Sequence, residues 1–510
     1  MKAVVAAGHE VTAKACARIL RAGGNAFDAV LAGMMVSGLA EYVLSSLGGG
    51  GFLMAQVAGQ KKPVLYDFFA QTPRHKRPLD EMDFHAIHAD FGPATQEFHI
   101  GAGATALPGM IPGLFAIHKD LCTLPMQHLI EPALEAARKG VKVSAFHAYL
   151  FTVIKPILTH SPQARALFCP NGEMLKAGEL FRNPDFADLL EALADEGEAL
   201  FRQGELAKAI IDQSRHQGGH LTLEDLHDYK VARRAPLVQY YHNHKFYLNP
   251  APSAGGPMIG FALGAMEALC KTHPPTLLDL VKVMMLTNKA RAQKTSDLTN
   301  FANKAHIENQ LATIARHHPS HRGTTHISII DESGNAASAT LSNGEGNGLI
   351  LPGCGIMLNN MLGEEDLHEG GFHLWKTNQR LSSMMSPTLI NTTDNRVFAL
   401  GSGGSNRIRS ALLQVASGLF DHGFSLKEAI EAPRLHTEKS GKISFENAPD
   451  CSVFDKKAKA QLLKTYPLAH GWPSANMFFG GVHGVCQTAS GQLIGQADPR
   501  RDGYTLKISD

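Results

Sequence analysis

The stretch that most constrains the fold is TTHISIIDESGNAASATLSN, Thr324 to Asn343. Two runs of β-branched and small residues flank a Ser-Gly step, which is a hairpin signature. A two-residue turn at Ser333-Gly334 pairs Glu332 with Asn335. It then sets Thr325 opposite Ser342 and Thr324 opposite Asn343, within the slip that the turn type permits. Upstream of Gly323 the patterns are mainly helical. Downstream, NAASATLSN, GLILPGCGIML, SPTLIN and RVFALGSGG read as strands. The change of character near residue 323 is the natural boundary, giving segments 1–323 and 324–510.

Residues 10–45 read as helices broken at RAGGNAFDA, and GGGGFLMAQVAG and KKPVLYDFF as strands whose glycines allow close backbone approach. Helical patterns dominate from about 110 to 235, with Leu189, Leu190 and Leu193 on one amphipathic face, and return in a long helical region ending near Ala315. The polar stretch TIARHHPSHRG reads as a loop that ends at the Gly-Thr step. With 44% hydrophobic and 19% charged residues, the 510-residue chain can bury a large core. A formal charge of +1 gives no reason to expect nucleic acid or an anionic membrane as partner. The apolar run around residues 27–55 is interrupted by Asp28, Glu41 and four glycines, so it reads as a buried helix and not as a membrane span. Seven scattered cysteines without a C-x-x-C pair suit free thiols in a reducing compartment. Together with the absence of a secretory pattern, they lead to the expectation of a cytoplasmic protein.

Threonine at the head of a strand is ordinary. If the Gly323–Thr324 bond were cut, however, Thr324 would carry a hydroxyl nucleophile and a free α-amine. That amine titrates near ~7.7–8.0 and can act as general base for its own hydroxyl. Hydroxyls of Thr340 or Ser342 on the second strand could reach it. In GSGGSN, Gly401 to Asn406, a strand runs into a helix start through a loop that aims backbone N–H groups at one point. An oxyanion hole, a phosphate cradle and a tight turn are all open readings, although neither common phosphate motif is matched. His317, His318, His321 and His326 lie close together but match no metal-ligand spacing, so no metal and no cofactor are expected.

Taken together, GGNAFDA, SLGGGGF, ATALPGMIPGL, GGHLTLEDLHDYKV, TTHISIIDESGNA, GCGIMLNN, LSSMMSPT, GSGGSNRI and ADPRRDG resemble the γ-glutamyltransferase family of N-terminal nucleophile hydrolases, in the family's order and over nearly the whole chain. The resemblance implies an α/β (α+β) fold, a four-layer α-β-β-α sandwich, made by a precursor that cleaves itself at Gly323–Thr324. The two fragments, 1–323 and 324–510, would remain associated. Thr324 would attack an amide carbonyl and pass the acyl group to water or an amine, with glutathione or another γ-glutamyl compound as the first expected substrate. Ser342 would be the supporting hydroxyl, and Gly404 and Ser405 the oxyanion hole.

The departures bear on substrate. The arginine with which the family holds a substrate carboxylate is replaced here by Phe69, in DFFAQTP. Met361 and Glu364 stand near the family's amide and acid, Ser382 and Ser383 match its serine pair, and Asn343 its amine-binding asparagine. Arg380 is a candidate to supply the missing charge. An acylase for non-glutamyl amides, and an unprocessed binding protein of the same fold, are the rival expectations.

Overall fold

The computed structural model describes residues 2–90, 95–292, 323–364, 371–447, 451 and 453–509. The end of the long helical region expected to reach Ala315, the TIARHHPSHRG loop, and with it His317, His318 and His321, lie outside the described residues.

Two β-sheets stack face to face. Their strands, in chain order, are β1 (Ala3–Ala7), β2 (Gly50–Gln56), β3 (Val64–Phe68), β4 (Ala232–Arg234), β5 (Leu237–Tyr241), β6 (His244–Leu248), β7 (Thr325–Asp331), β8 (Ala336–Ser342), β9 (Thr388–Asn391), β10 (Val397–Gly403), β11 (Gly481–Gln487), β12 (Leu493–Gln496) and β13 (Tyr504–Ile508). The first sheet has the order β13-β1-β7-β8-β2-β3-β4, and the second β12-β11-β10-β9-β6-β5.

The hairpin β7–β8 sits mid-sheet and every residue of its two strands is buried. Alternation then sorts its side chains between two cores. Ile327, Ile329, Ala337, Ala339 and Leu341 face outward onto helices α1 (Glu10–Arg21) and α2 (Ala26–Ala40). Helix α2 is buried all round, as its mostly apolar composition requires, and opens with a capping box from Asn25 and Asp28. Ile330 and Ala336 face inward, into the core shared by the second sheet and helices α3 (Gly255–Leu269), α4 (Leu277–Ala292) and α5 (Arg407–Phe420). The α-β-β-α layering expected from the family resemblance is therefore present.

The inner face of the hairpin is also polar. His326 is hydrogen-bonded to Thr340 and Ser328, each at 2.8 Å. Ser338 Oγ donates to the Leu400 carbonyl at 2.9 Å, and Ser328 Oγ to that of His483 at 3.2 Å. These bonds tie the sheets together and satisfy groups that would be expensive to bury unpaired.

Two sequence expectations need correction. The register pairs Thr325 with Leu341 and His326 with Thr340, one residue from the expected hairpin. Asp331 pairs with Asn335 across a three-residue loop whose Gly334 has φ 90°, the geometry of a turn followed by a left-handed residue. GLILPGCGIML is not a strand either. It forms a loop with positive φ at Gly348, Gly353 and Gly355, with isolated bridges between Ile350 and Met357 and between Leu358 and Gly48.

Candidate functional site

The corrected register is what assembles the site. Shifting the pairing by one residue carries Ser342 to the position across from Thr324 and onto the same face. Ser342 Oγ then donates to the carbonyl of Gly323 at 2.7 Å and accepts the N–H of Gly344 at 3.1 Å. The Gly323 N–H donates to Glu345 Oε1 at 3.2 Å. Both polar backbone groups of Gly323 are thus held, its carbonyl by the last residue of β8 and its N–H by the turn that follows, and Thr324 itself is buried.

Behind Thr324 the strand is held by a second set of groups. Its carbonyl accepts from Arg501 Nη1 at 3.4 Å. A Cβ on Gly403 would come within 2.2 Å of that carbonyl oxygen, and one on Gly401 within 2.1 Å of the His326 ring. The glycines of GSGG are therefore what allow β10 to lie against β7. Beyond them the chain reverses at Gly404 (φ 118°) and Ser405 (φ 54°), immediately before α5. The Ser405 hydroxyl is buried with no hydrogen-bond partner among the described residues.

The next residue, Thr325, points to the other face, where its hydroxyl donates to Glu41. Thr12 Oγ1 donates to the other oxygen of the same carboxylate at 2.9 Å. Burial pushes the Glu41 carboxyl up to about 7, with the two threonine hydrogen bonds and Arg501 pulling the other way. Burial also lowers Arg501 to about 10, so it stays cationic near neutrality. Neither residue was assigned a role from sequence. The signals were there: Glu41 is an acid inside an apolar run, and Arg501 lies in the ADPRRDG block.

The other expected residues fall into two groups. Asn343, buried, donates to the Met357 carbonyl at 3.3 Å while its Oδ1 has no partner among the described residues. Glu364 and Asn360 crowd the Gly344 backbone, where a Cβ would meet Glu364 Oε1 at 2.4 Å and Asn360 Oδ1 at 2.2 Å. These groups adjoin Ser342. Thr340 does not, because its hydroxyl is taken by His326.

Ser383 uses its hydroxyl to accept the Met385 N–H at 3.1 Å and its carbonyl to accept from Ser253, Ala254 and Gly255 at the start of α3. Ser382 beside it is half-buried. Arg380 is committed elsewhere. Its Nε lies 3.3 Å from Asp67 Oδ1, its other nitrogens donate to the Tyr229 hydroxyl and to the carbonyls of Phe69 and Lys230, and it stacks on the Tyr229 ring at 4.5 Å. The Arg380 guanidinium, expected from sequence to supply the missing charge, is thus engaged with groups of its own chain. Phe69 stacks on Phe52 at 5.3 Å in the inter-sheet core, and Met361 is buried in that same core.

The family model described as Gamma-glutamyltranspeptidase matches residues 12–508. The acylase ACY 1 proenzyme of Pseudomonas sp. (strain V22) is 28% identical, covering 100% of this chain and 94% of its own length. The glutathione hydrolase proenzyme of Pseudomonas aeruginosa is 28% identical, covering 99% of this chain and 94% of its own. Among solved structures, the cephalosporin acylase from Bacillus halodurans superposes with a TM-score of 0.85 at 21% identity, over 99% of this chain and 95% of that one. The chain is an enzyme of the gamma-glutamyltranspeptidase family, within the N-terminal nucleophile hydrolases.

Proposed function

We propose that the chain is a precursor that cuts its own Gly323–Thr324 bond and then works as a threonine acyl hydrolase or acyltransferase, with Thr324 as nucleophile. The observation that carries this reading is the Ser342 hydroxyl donating to the Gly323 carbonyl at 2.7 Å. That carbonyl is the one Thr324 Oγ must attack, and a donor already on its oxygen stabilises the charge that develops there. Attack moves the Gly323 acyl group from nitrogen to Oγ, and water hydrolyses the ester. Segments 1–323 and 324–510 are then separate chains, and the α-amine of Thr324 is free.

That amine takes the proton of Oγ–H as the hydroxyl adds to a substrate amide carbonyl. The backbone at Gly404 and Ser405 receives the oxyanion. The protonated amine gives its proton to the leaving nitrogen, and water or an acceptor amine releases the acyl group.

The acyl arm we infer is not γ-glutamyl. Holding an α-carboxylate calls for a cationic, bidentate partner. Phe69 is turned into the core, and Arg380 is occupied by Asp67, Tyr229 and two carbonyls. The name of the acylase ACY 1 relative supports an acylase reading, and that of the glutathione hydrolase supports the rival.

Two measurements test the proposal. N-terminal sequencing of incubated protein is expected to give fragments of about 35 and about 20 kDa, apportioned by length from 55.0 kDa, the smaller one starting Thr-Thr-His. Thr324→Ala is expected to abolish both cleavage and activity, and a fully active uncleaved mutant would remove the nucleophile. For the substrate, kcat/KM of the matured enzyme is compared on a γ-glutamyl anilide and on a simple acyl anilide. A preference for the γ-glutamyl compound would overturn the acylase assignment.

A further inference from the structure

Three side chains that the acyl-transfer reaction does not use converge beside the start of α1. His9 is its N-cap, His147 lies in the helix Ala145–Val153, and Asp502 follows the short turn Pro499–Arg501. One potential ligand atom from each lies within 4.8 Å of the other two. The two imidazoles meet edge to face, with centroids 5.2 Å apart, and Asp502 Oδ2 is 3.9 Å from His147 Nδ1. Both histidines are buried, whereas the Asp502 side chain is 38% exposed and leaves a route from solvent.

A second observation points to a ligand. His147 Nε2 is buried and has no hydrogen-bond partner among the described residues, while Nδ1 is bonded to Ser144 Oγ at 3.0 Å. A bare buried ring nitrogen costs about 1–3 kcal/mol if nothing meets it. An imidazole oriented through one nitrogen, with the other left to a ligand, is the usual arrangement around a bound metal. His9 Nδ1 accepts the Val11 N–H at 3.1 Å, so the neutral ring carries its proton on Nε2, and a cation takes the Nδ1 lone pair in place of that cap.

We propose that His9, His147 and Asp502 form a site for a divalent transition cation of the zinc class. Two imidazoles and a carboxylate are a donor set that zinc accepts, with the fourth position left to water. Donor atoms around tetrahedral zinc lie about 3.3 Å apart, so binding draws the three groups together, and the half-exposed Asp502 has the freedom to move. The cation acts as a clamp. His9 and His147 belong to segment 1–323 and Asp502 to segment 324–510. Asp502 is the neighbour of Arg501, which holds the Thr324 carbonyl.

The test uses full-length, untagged protein stripped with a chelator and dialysed against micromolar zinc, with bound metal counted by mass spectrometry. Cobalt(II) absorption reports coordination geometry. Wild type is expected to bind a single equivalent and to show a tetrahedral cobalt spectrum. Asp502→Asn and His147→Gln are each expected to lose at least tenfold in affinity. Metal-free melting temperature and circular dichroism report whether each variant is folded. Should His147→Gln fold poorly, the half-exposed Asp502→Asn decides. No zinc bound by wild type, or full affinity in a folded Asp502→Asn, overturns the site.

Discussion

At the scale of single residues, two groups around Thr324 make measurable demands. Ser342 supplies the donor on the Gly323 carbonyl, so Ser342→Ala is expected to slow self-cleavage by ~10²–10³-fold, the loss typical of removing one such donor. A time course of the precursor band on a denaturing gel measures it. Glu41 makes a different demand. Its carboxyl sits at about 7 in the folded chain, against 4.5 ordinarily, because burial disfavours the charge. Between those values the folded state holds a proton that the unfolded state has released, so raising the pH through this window removes stability. The full effect is of order 3 kcal/mol. The other groups facing this carboxylate are Asp502, which raises it further, Arg501, which lowers it, and the hydroxyls of Thr12 and Thr325. Subtracting the urea stability of Glu41→Gln from that of wild type isolates the effect. The difference is expected to fall from pH 5 to pH 8, and a flat difference would show that Glu41 keeps its ordinary basicity.

At the scale of elements, strand β10 explains what sequence reading could and could not reach. Gly403 is a glycine because β10 lies against the Thr324 carbonyl, with no room for a methyl group. Gly403→Ala is therefore expected to block self-cleavage and to lower stability by about 1–3 kcal/mol, as overpacking does, read by intact mass and by urea melts. The motif GSGG was visible as a loop that precedes a helix, and Gly404 and Ser405 do form that turn. That Gly401 and Gly403 serve a contact between sheets was not visible, because their partners His326 and Thr324 lie far away in sequence and on the other sheet. The hairpin was legible from its alternation, yet its register was read one residue out. Ser333-Gly334 fits a two-residue turn as well as the observed three-residue loop, and only the pairing of Asp331 with Asn335 decides. Phe69 was legible as a departure from a motif. The commitments of Arg380 were not, since Asp67 and Tyr229 reach it only in the folded chain.

At the scale of the whole molecule, the proposed cleavage site divides the chain without dividing the fold. In the first sheet, β1 of segment 1–323 lies between β13 and β7 of segment 324–510, and β8 pairs with β2. In the second sheet β9 pairs with β6 across the same division. Neither of the two large sheets belongs to one segment, so the cut fragments are expected to co-elute in gel filtration and to melt in a single transition. They should separate only in denaturant, and two independent melting steps would contradict the interleaving. The pairing of β13 with β1 also bears on when we expect the proposed cut to occur during synthesis. Strand β1 meets β13 only once the chain has been made past residue 508, and the Thr324 carbonyl meets Arg501 only after residue 501. A chain whose synthesis stops short of the ADPRRDG block lacks part of the brace behind the proposed scissile bond, so we expect a truncated product to stay uncut, and the cut to report that translation ran past that block.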